Sequence, residues 1–360
     1  MKKYRQTGPS TVDSEYSALL LSWYALQGRD LPWRCTRDPY RIWISEVILQ
    51  QTRVAQGTAY YLRFMERFPD VAALAGASED EVLKCWQGLG YYSRARNLHA
   101  AARRIVSCFD GVFPVEYADV RSLPGIGDYT ASAICSIAYD APYAVLDGNV
   151  FRVLSRLFDL DWPIDTTAGR RAFLQLAEAM LDQTRPGLYN QTVMDFGAIC
   201  CLPVQPHCTD CPLQARCLSF AAGHVSVRPV KRIRAKVEPR YFNYLIIECG
   251  SELLLHRREG KDIWRGLYEF PLIETSQPME YLELVRTEPF HALFEDVEEW
   301  QFLESTLMPI HQLSHQAIHA VFYRIKVDQW SEAMRRLCVV DRSRLDDYAV
   351  PRLIERYLSR

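Results

Sequence analysis

Four cysteines within 17 residues, Cys201, Cys208, Cys211 and Cys217 in the spacing C-x6-C-x2-C-x5-C, constrain this chain more than any other feature. So many thiols on one short loop have to wrap a bound group, and soft sulfur donors suit an iron–sulfur cluster or zinc. Zinc ribbons usually present two separated C-x2-C knuckles. Here one close pair is flanked by single cysteines at unequal distances, which favours a cluster. Cys200 adjoins the set and reads as a neighbour rather than a ligand. His207 and Arg216, inside the loop, would hold positive charge beside the group, where a phosphate backbone could be met. The other six of the 11 cysteines are scattered, which points to a reducing compartment rather than a disulfide scaffold.

At 360 residues the chain is long for one domain and comfortable for two. Its 49% apolar and 24% charged residues are ordinary for a soluble globular protein, and no stretch is apolar enough for a membrane span. The N-terminal stretch lacks the pattern of a leader, so a cytoplasmic location is expected, associated with the nucleoid in a bacterium. A net charge of −2 neither supports nor excludes a nucleic-acid partner. From Asp13 to Phe220 the pattern is helical, with candidates at 40–50, 55–68, 80–89, 95–109, 128–139, 150–158 and 170–181. A run carrying Arg228, Lys231, Arg232, Arg234, Lys236 and Arg240 then reads as a linker. Beyond it, alternating runs (YFNYLIIECG, ELLLHRR, AIHAVFYRIKV) are separated by helical stretches (PMEYLELVR, RLIERYL), the texture of an α+β domain. The expected division is 1–222, a basic linker 223–240, and 241–360.

Two motifs carry chemistry. In LPGIGDYTASAICSIA, Gly125 and Gly127 form a tight turn opening straight into a helix, a helix-hairpin-helix signature. Glycines let backbone amides approach a phosphate, and the helix N-terminus adds partial positive charge, giving a sequence-independent grip on DNA. A plain helix–helix turn can read similarly. Twenty residues on, Asp147 in LDGNVFRVLSRLF stands where an N-cap would, and at this distance from the hairpin it is also placed to face the sugar of an extruded nucleotide. Glu46 lies within RIWISEVILQQ, flanked by apolar residues. Desolvation would raise its pKa and make it a proton donor, while Asp147, in a more polar setting, stays ionised. An acid for the leaving group and an anion for an oxocarbenium-like sugar are what cleavage of a glycosidic bond requires.

The strings GRDLPWR (28–34), DPYRIWISEVILQQTRV (38–54), GLGYYSRARNL (88–98), LPGIGDYTA and LDGNVFRVLSRL, with the cysteine spacing, closely resemble the MutY adenine glycosylases, within the wider endonuclease III superfamily. The resemblance implies a mostly α, helix-hairpin-helix glycosylase domain holding a 4Fe-4S cluster on Cys201, Cys208, Cys211 and Cys217. It implies that Glu46 protonates adenine, Asp147 stabilises or bonds the anomeric carbon, Tyr129 supports the pair and Asn149 orients Asp147. It further implies a base pocket of Arg29, Leu31, Trp33, Arg34, Leu49 and Gln191, with Gln51, Thr52, Leu89 and Tyr91 on the opposite strand and its oxidised guanine. Each of these could otherwise be core or surface, Trp33 especially. Bifunctional members of the superfamily carry a lysine nucleophile where this chain has Tyr129, so no Schiff base with the sugar is expected. A monovalent cation at the hairpin is expected as well.

RREGKDIWRGLYEFP resembles the Nudix-fold domain of the same family. The positions of a hydrolase box counted from Gly266 are Leu272, Glu280, Tyr281, Leu284 and Val285, so the metal-binding carboxylates are missing and the domain should bind rather than hydrolyse. The family's Phe-Ser-His loop corresponds to Leu313-Ser314-His315: the aromatic is absent, while Ser314 and His315 can hydrogen-bond. For His311 and His319, core or surface roles are the simpler expectation. Together these imply a monomeric, monofunctional glycosylase acting on duplex DNA with adenine opposite 8-oxoguanine or guanine, with repair or replication proteins docking on the basic linker and no membrane partner. The competing readings are an endonuclease III-like strand-cleaving enzyme, which Tyr129 weighs against, a DNA-binding adaptor that lost chemistry, which Glu46 and Asp147 weigh against, and a zinc-dependent Nudix-linked regulator.

Overall fold

The computed structural model describes residues 12–232 and 237–360. The first part of the chain is helical, in the order α1 (Val12–Gln27), α2 (Pro39–Leu49), α3 (Val54–Arg67), α4 (Val71–Gly76), α5 (Glu79–Trp86), α6 (Ser93–Cys108), α7 (Tyr117–Ser122), α8 (Asp128–Tyr139), α9 (Gly148–Leu157), α10 (Thr167–Met180), α11 (Pro186–Ile199) and α12 (Leu218–Ala221). Among the described residues no helix is long and apolar enough to cross a membrane. The chain divides into two compact units, Met1–Gly76 with Ala100–Ile233, and Ala77–His99 with Arg234–Arg360.

In the first unit the helices that matter are buried along most of their length. Asp38 caps α2 by accepting from the Tyr40 amide, Pro39 takes the first turn, and Tyr40 and Ile42 to Ile48 are buried. α8 starts after Gly127 and ends on Asp140 in the left-handed region (φ 52°), the bounds expected from sequence. α11 is buried from Pro186 to Gly197 except at Leu188. Gly197 is where α11 meets α9: a Cβ there would stand 2.6 Å from Asn149 Cβ.

The second unit is built on a mixed sheet of β1 (Glu238–Cys249), β2 (Glu252–Arg257), β3 (Tyr268–Glu269), β4 (Leu272–Thr275), β5 (Trp300–Leu307), β6 (His311–Gln312), β7 (Gln316–Val327) and β8 (Cys338–Asp341). Its order is β3-β2-β1-β7-β5, with β4 paired to β1, β6 to β7 and β8 to β2. β1 and β7 run parallel. The period-2 alternation of β1 sends Tyr244 and Ile246 to one face, with Phe322, Leu353 and Ile354, and Leu245 and Ile247 to the other, with Phe290, Ile325 and Met334. Helix α16 (Arg352–Leu358) covers the first face, and α14 (Glu288–Leu293) and α15 (Glu332–Arg335) cover the second. PMEYLELVR, expected as a helix, yields only the turn Tyr281–Leu284, labelled α13.

Two boundaries differ from the sequence expectation. Residues 77–99 belong with the sheet: Gln87 donates to Glu355 at 2.7 Å, Arg257 pairs with Glu79 and Asp80 at 3.1 Å each, and Tyr92 donates to the Val350 carbonyl. The basic run is only in part a linker. Arg228 pairs with Asp159 at 3.1 Å, the Arg232 amide donates to Asp165, and Arg240 is already in β1, paired with Asp262 and Glu274. A docking surface on this run therefore has fewer free cations than its composition suggests. Arg234 and Lys236 lie outside the described residues.

Phe322, 1% exposed, stacks on Tyr244 at 4.9 Å and on Tyr357 at 4.2 Å. Phe322→Ala is expected to lower the stability of this unit by about 3–5 kcal/mol, measured as a lower denaturant midpoint for its transition.

Candidate active site

Glu46 projects from the middle of α2, 9% exposed among apolar neighbours. Tyr129, in the first turn of α8, donates its hydroxyl to Glu46 Oε2 at 2.5 Å and also lies 3.5 Å from Met194 Sδ of α11. Asp147 is the N-cap of α9: Oδ1 accepts from the Val150 amide at 2.7 Å, and Oδ2 accepts from Asn149 Nδ2 at 2.8 Å. Glu46, Tyr129, Asp147 and Asn149 thus lie in one unit, Tyr129 bonded to Glu46 and Asn149 to Asp147.

The electrostatics correct one expectation. Burial pushes Glu46 above its ordinary 4.5, outweighing the Tyr129 hydrogen bond and the Arg34 charge, which act to lower it. Burial also pushes Asp147 above 3.8, although a polar setting was expected to leave it ordinary. What distinguishes the two is hydrogen bonding. Asp147 receives the Val150 and Asn149 amides and the Asn149 side chain, with Arg152 nearby, whereas Glu46 receives only Tyr129. Burial thus drives both acids toward their neutral forms, with more hydrogen bonds opposing it at Asp147 than at Glu46.

The loop between α1 and α2 presents Arg29, Leu31, Trp33 and Arg34. Leu31 and Trp33 are buried, Trp33 edge-on to Tyr61 at 5.1 Å, as a core residue would be. Arg29 and Arg34 converge on Asp195 of α11, at 2.5 and 2.9 Å. Gln191 is buried one turn before Asp195, and Leu49 is half-buried at the end of α2. Gln51, with φ 61°, is exposed in the turn that follows, beside half-buried Thr52. In the hairpin, Gly125 (φ 76°) needs the freedom of glycine, and the Ile126 carbonyl accepts from Arg121 at 2.9 Å. In the other unit, Leu89 and Tyr91 lie on a turn with Gly88, Gly90 and Tyr91 all at positive φ, and the exposed Tyr91 hydroxyl meets Ser314 Oγ at 2.7 Å. His315 is exposed at the tip of the β6–β7 hairpin, while Leu313 leans on the apolar core.

Cys201, Cys208, Cys211 and Cys217 line one recess of about 430 Å3, mouth included, with Cys200, Val153 and Arg156. Arg156 donates to Cys201 Sγ at 3.5 Å, Cys211 accepts the Leu213 and Gln214 amides, and Cys217 accepts those of Ser219 and Phe220. Cys200, set aside from sequence, hydrogen-bonds Cys211 and lowers that thiol to about 7. Among the described residues no three His, Cys, Asp or Glu side chains form a ready-made ion cage; the four cysteines line the recess wall. Arg216, expected to face phosphate, pairs instead with Glu15 at 2.6 Å.

Two further residues stand out that the sequence reading passed over. Arg152 of α9 donates to Asn149 Oδ1 at 2.8 Å, the Gly197 carbonyl at 2.5 Å and the Cys201 carbonyl at 2.7 Å, joining the catalytic cap to the cysteine loop. Asp195, 0% exposed, was findable by the argument that singled out Glu46, a lone carboxylate among apolar neighbours.

Residues 44–178 match the family model described as HhH-GPD superfamily base excision DNA repair protein, and residues 243–360 match a NUDIX domain. The helical unit is therefore of the helix-hairpin-helix base excision class. Among relatives, the adenine DNA glycosylase of Buchnera aphidicola subsp. Acyrthosiphon pisum (strain APS) is 34% identical over 263 residues, 73% of this chain and 75% of the relative. That of Homo sapiens is 33% identical over 335 residues, 78% of this chain and 60% of the relative. Among solved structures, a thermostable thymine-DNA glycosylase superposes with a TM-score of 0.54 at 28% identity, covering 58% of this chain and 97% of that one. The chain belongs to the adenine DNA glycosylase family, as the resemblance in its motifs implied.

The raised Glu46 has a consequence for stability. The folded state holds a proton on Glu46 above pH 4.5 that the unfolded chain releases, so this group's contribution falls as pH rises from that value. Glu46→Gln cannot ionise. It is expected to melt higher than the unsubstituted protein at neutral pH, with the difference closing below about pH 4, read by thermal melts across the pH range.

Proposed function

We propose that this protein hydrolyses the N-glycosidic bond of adenine paired with 8-oxoguanine or guanine in duplex DNA, leaving the strand intact. The observation that carries the reading is the 2.5 Å hydrogen bond from Tyr129 to the buried acid Glu46, in the same unit as the capped carboxylate Asp147. The adenine leaves the stack to reach this set. Glu46, protonated because it is buried, delivers its proton to the departing base, and Tyr129 holds the acid in place. As the bond breaks, positive charge grows on the sugar, and Asp147, whose lone pairs are fixed by Val150 and Asn149, faces that charge. Water then takes the anomeric carbon. Tyr129 supplies no amine, so no Schiff base forms and no β-elimination follows.

The hairpin glycines Gly125 and Gly127 take the phosphate backbone, and Arg29, Leu31, Trp33, Arg34, Leu49 and Gln191 form the base pocket. Gln51, Thr52, Leu89, Tyr91, Ser314 and His315 read the opposite strand. A loop carrying four cysteines, amide donors to two of the sulfurs and the Arg156 charge fits a 4Fe-4S cluster, whose sulfurs accept such hydrogen bonds. Cys201, Cys208, Cys211 and Cys217 would hold it, and bound there it would fix the loop against α9. At the hairpin, Arg121 already occupies the Ile126 carbonyl, so a monovalent cation has less to satisfy there.

With a duplex bearing adenine opposite 8-oxoguanine, strand breaks are expected only after alkali treatment. Glu46→Gln is expected to lower base release by at least about 100-fold while retaining duplex binding in a gel-shift assay. Breaks without alkali, or full activity in the variant, would sink the proposal. The purified protein is expected to be brown and to contain iron and acid-labile sulfide, and Cys208→Ser to lose both by elemental and sulfide analysis; a colourless protein containing zinc would exclude the cluster.

A further inference from the structure

Asp195 is a charge in an unusual place. It lies on α11 with no exposed surface, and its carboxylate accepts the Arg29 amide at 3.2 Å, Arg29 Nη2 at 2.5 Å and Arg34 Nη2 at 2.9 Å. Two guanidinium groups share one carboxylate, so the cluster carries a net charge of one positive. Arg29 Nε and Arg34 Nε are buried without hydrogen-bond partners, so both side chains are held where they are chiefly by Asp195. We propose that Asp195 is a positioning residue of the active site: it fixes Arg29 and Arg34 beside the base pocket and cancels one of their two charges, which keeps the nearby acid Glu46 protonated. The proposal rests on the glycosylase reading given above.

The electrostatic link runs through Arg34. The groups acting on Glu46 from the elements packed around it are Tyr129 of α8, Arg34 of the α1–α2 loop and Asp147 at the start of α9. The first two favour the ionised form and Asp147 opposes it, while burial dominates. Tyr24 of α1 feels Arg34, Asp195 and Arg29 together, which places the three charges in one cluster. As a general acid Glu46 works only while protonated, so activity is lost as pH rises through its pKa. Without the Asp195 charge, the Arg34 guanidinium would act on Glu46 less compensated and favour its ionised form, and that loss would set in at lower pH.

The test is the pH dependence of single-turnover adenine release by the full chain, on a duplex with adenine opposite 8-oxoguanine. Asp195→Asn is expected to move the alkaline limb down by about one pH unit, roughly a tenfold loss on that limb with a smaller change on the plateau. Asp195→Glu restores the charge and should return the limb. Arg34→Gln leaves a neutral cluster and should move the limb upward, and Arg34→Gln combined with Asp195→Asn, again one positive charge, should bring it back toward its starting position. An Asp195→Asn loss uniform across pH, or an Asp195→Glu limb displaced like that of Asp195→Asn, would overturn the proposal and leave Asp195 merely structural. Should Asp195→Asn fail to fold, Arg34→Gln decides alone: a limb that stays or falls overturns it. An unsubstituted protein that releases no adenine at any pH removes the glycosylase reading itself, which is a different failure.

Discussion

The position of one short helix, α9, governs the catalytic end of the helical unit. Asp147 caps it, accepting from the Val150 amide, so the residue that starts the helix is also the carboxylate proposed to face the sugar. The same side chain could not be swung elsewhere without leaving the Val150 amide unpaired, which couples the cap to the proposed site. Further along, Arg152 and Arg156 hold carbonyls of the cysteine loop, Arg152 at Cys201 and Arg156 at Leu202 and Pro203. Because Arg152 also donates to Asn149, a shift of that loop reaches Asp147 through three hydrogen bonds. Gly197 allows the arrangement, since any side chain there would push α11 off Asn149.

The unit keeps several charges away from water, and the way each is compensated decides its use. Asp195 is surrounded by donors from Arg29 and Arg34, the condition under which a buried charge is tolerated. Glu46 has a single donor and is instead driven toward its neutral form. The contrast between these two acids on neighbouring buried helices is a contrast in partners, not in burial. Asp147 stands between them, buried yet well supplied with hydrogen bonds.

These relations explain which parts were legible in the sequence. α8 was delimited because Gly127 and Asp140 punctuate it at both ends. α11 was not, because a helix buried along nearly all of Pro186 to Gly197, and apolar at its exposed Leu188, loses the polar–apolar period that reveals an amphipathic one. The edge strand β5 was missed for the opposite reason: with almost every residue exposed, it shows no alternation. Asp147 could be recognised as a cap from its place before an apolar run, but its raised pKa depends on helices far off in sequence. The grouping of residues 77–99 with the sheet rests on side-chain pairs such as Gln87–Glu355, which no local pattern records.

In the second unit, the loss of the hydrolase carboxylates leaves a sheet whose polar contacts serve support rather than metal binding. Glu269, 2% exposed, takes both of its oxygens to Arg258 and also accepts from Tyr244. Arg240 and Arg258 both pair with Asp262, which ties the loop after β2 to β1. Leu313 belongs to the same logic. Packed on the core, it anchors the hairpin tip from inside, so that Ser314 is presented outward to Tyr91. A residue at this position therefore has a structural task whether or not it is aromatic, while the hydroxyl pair and His315 beside it stay on the surface.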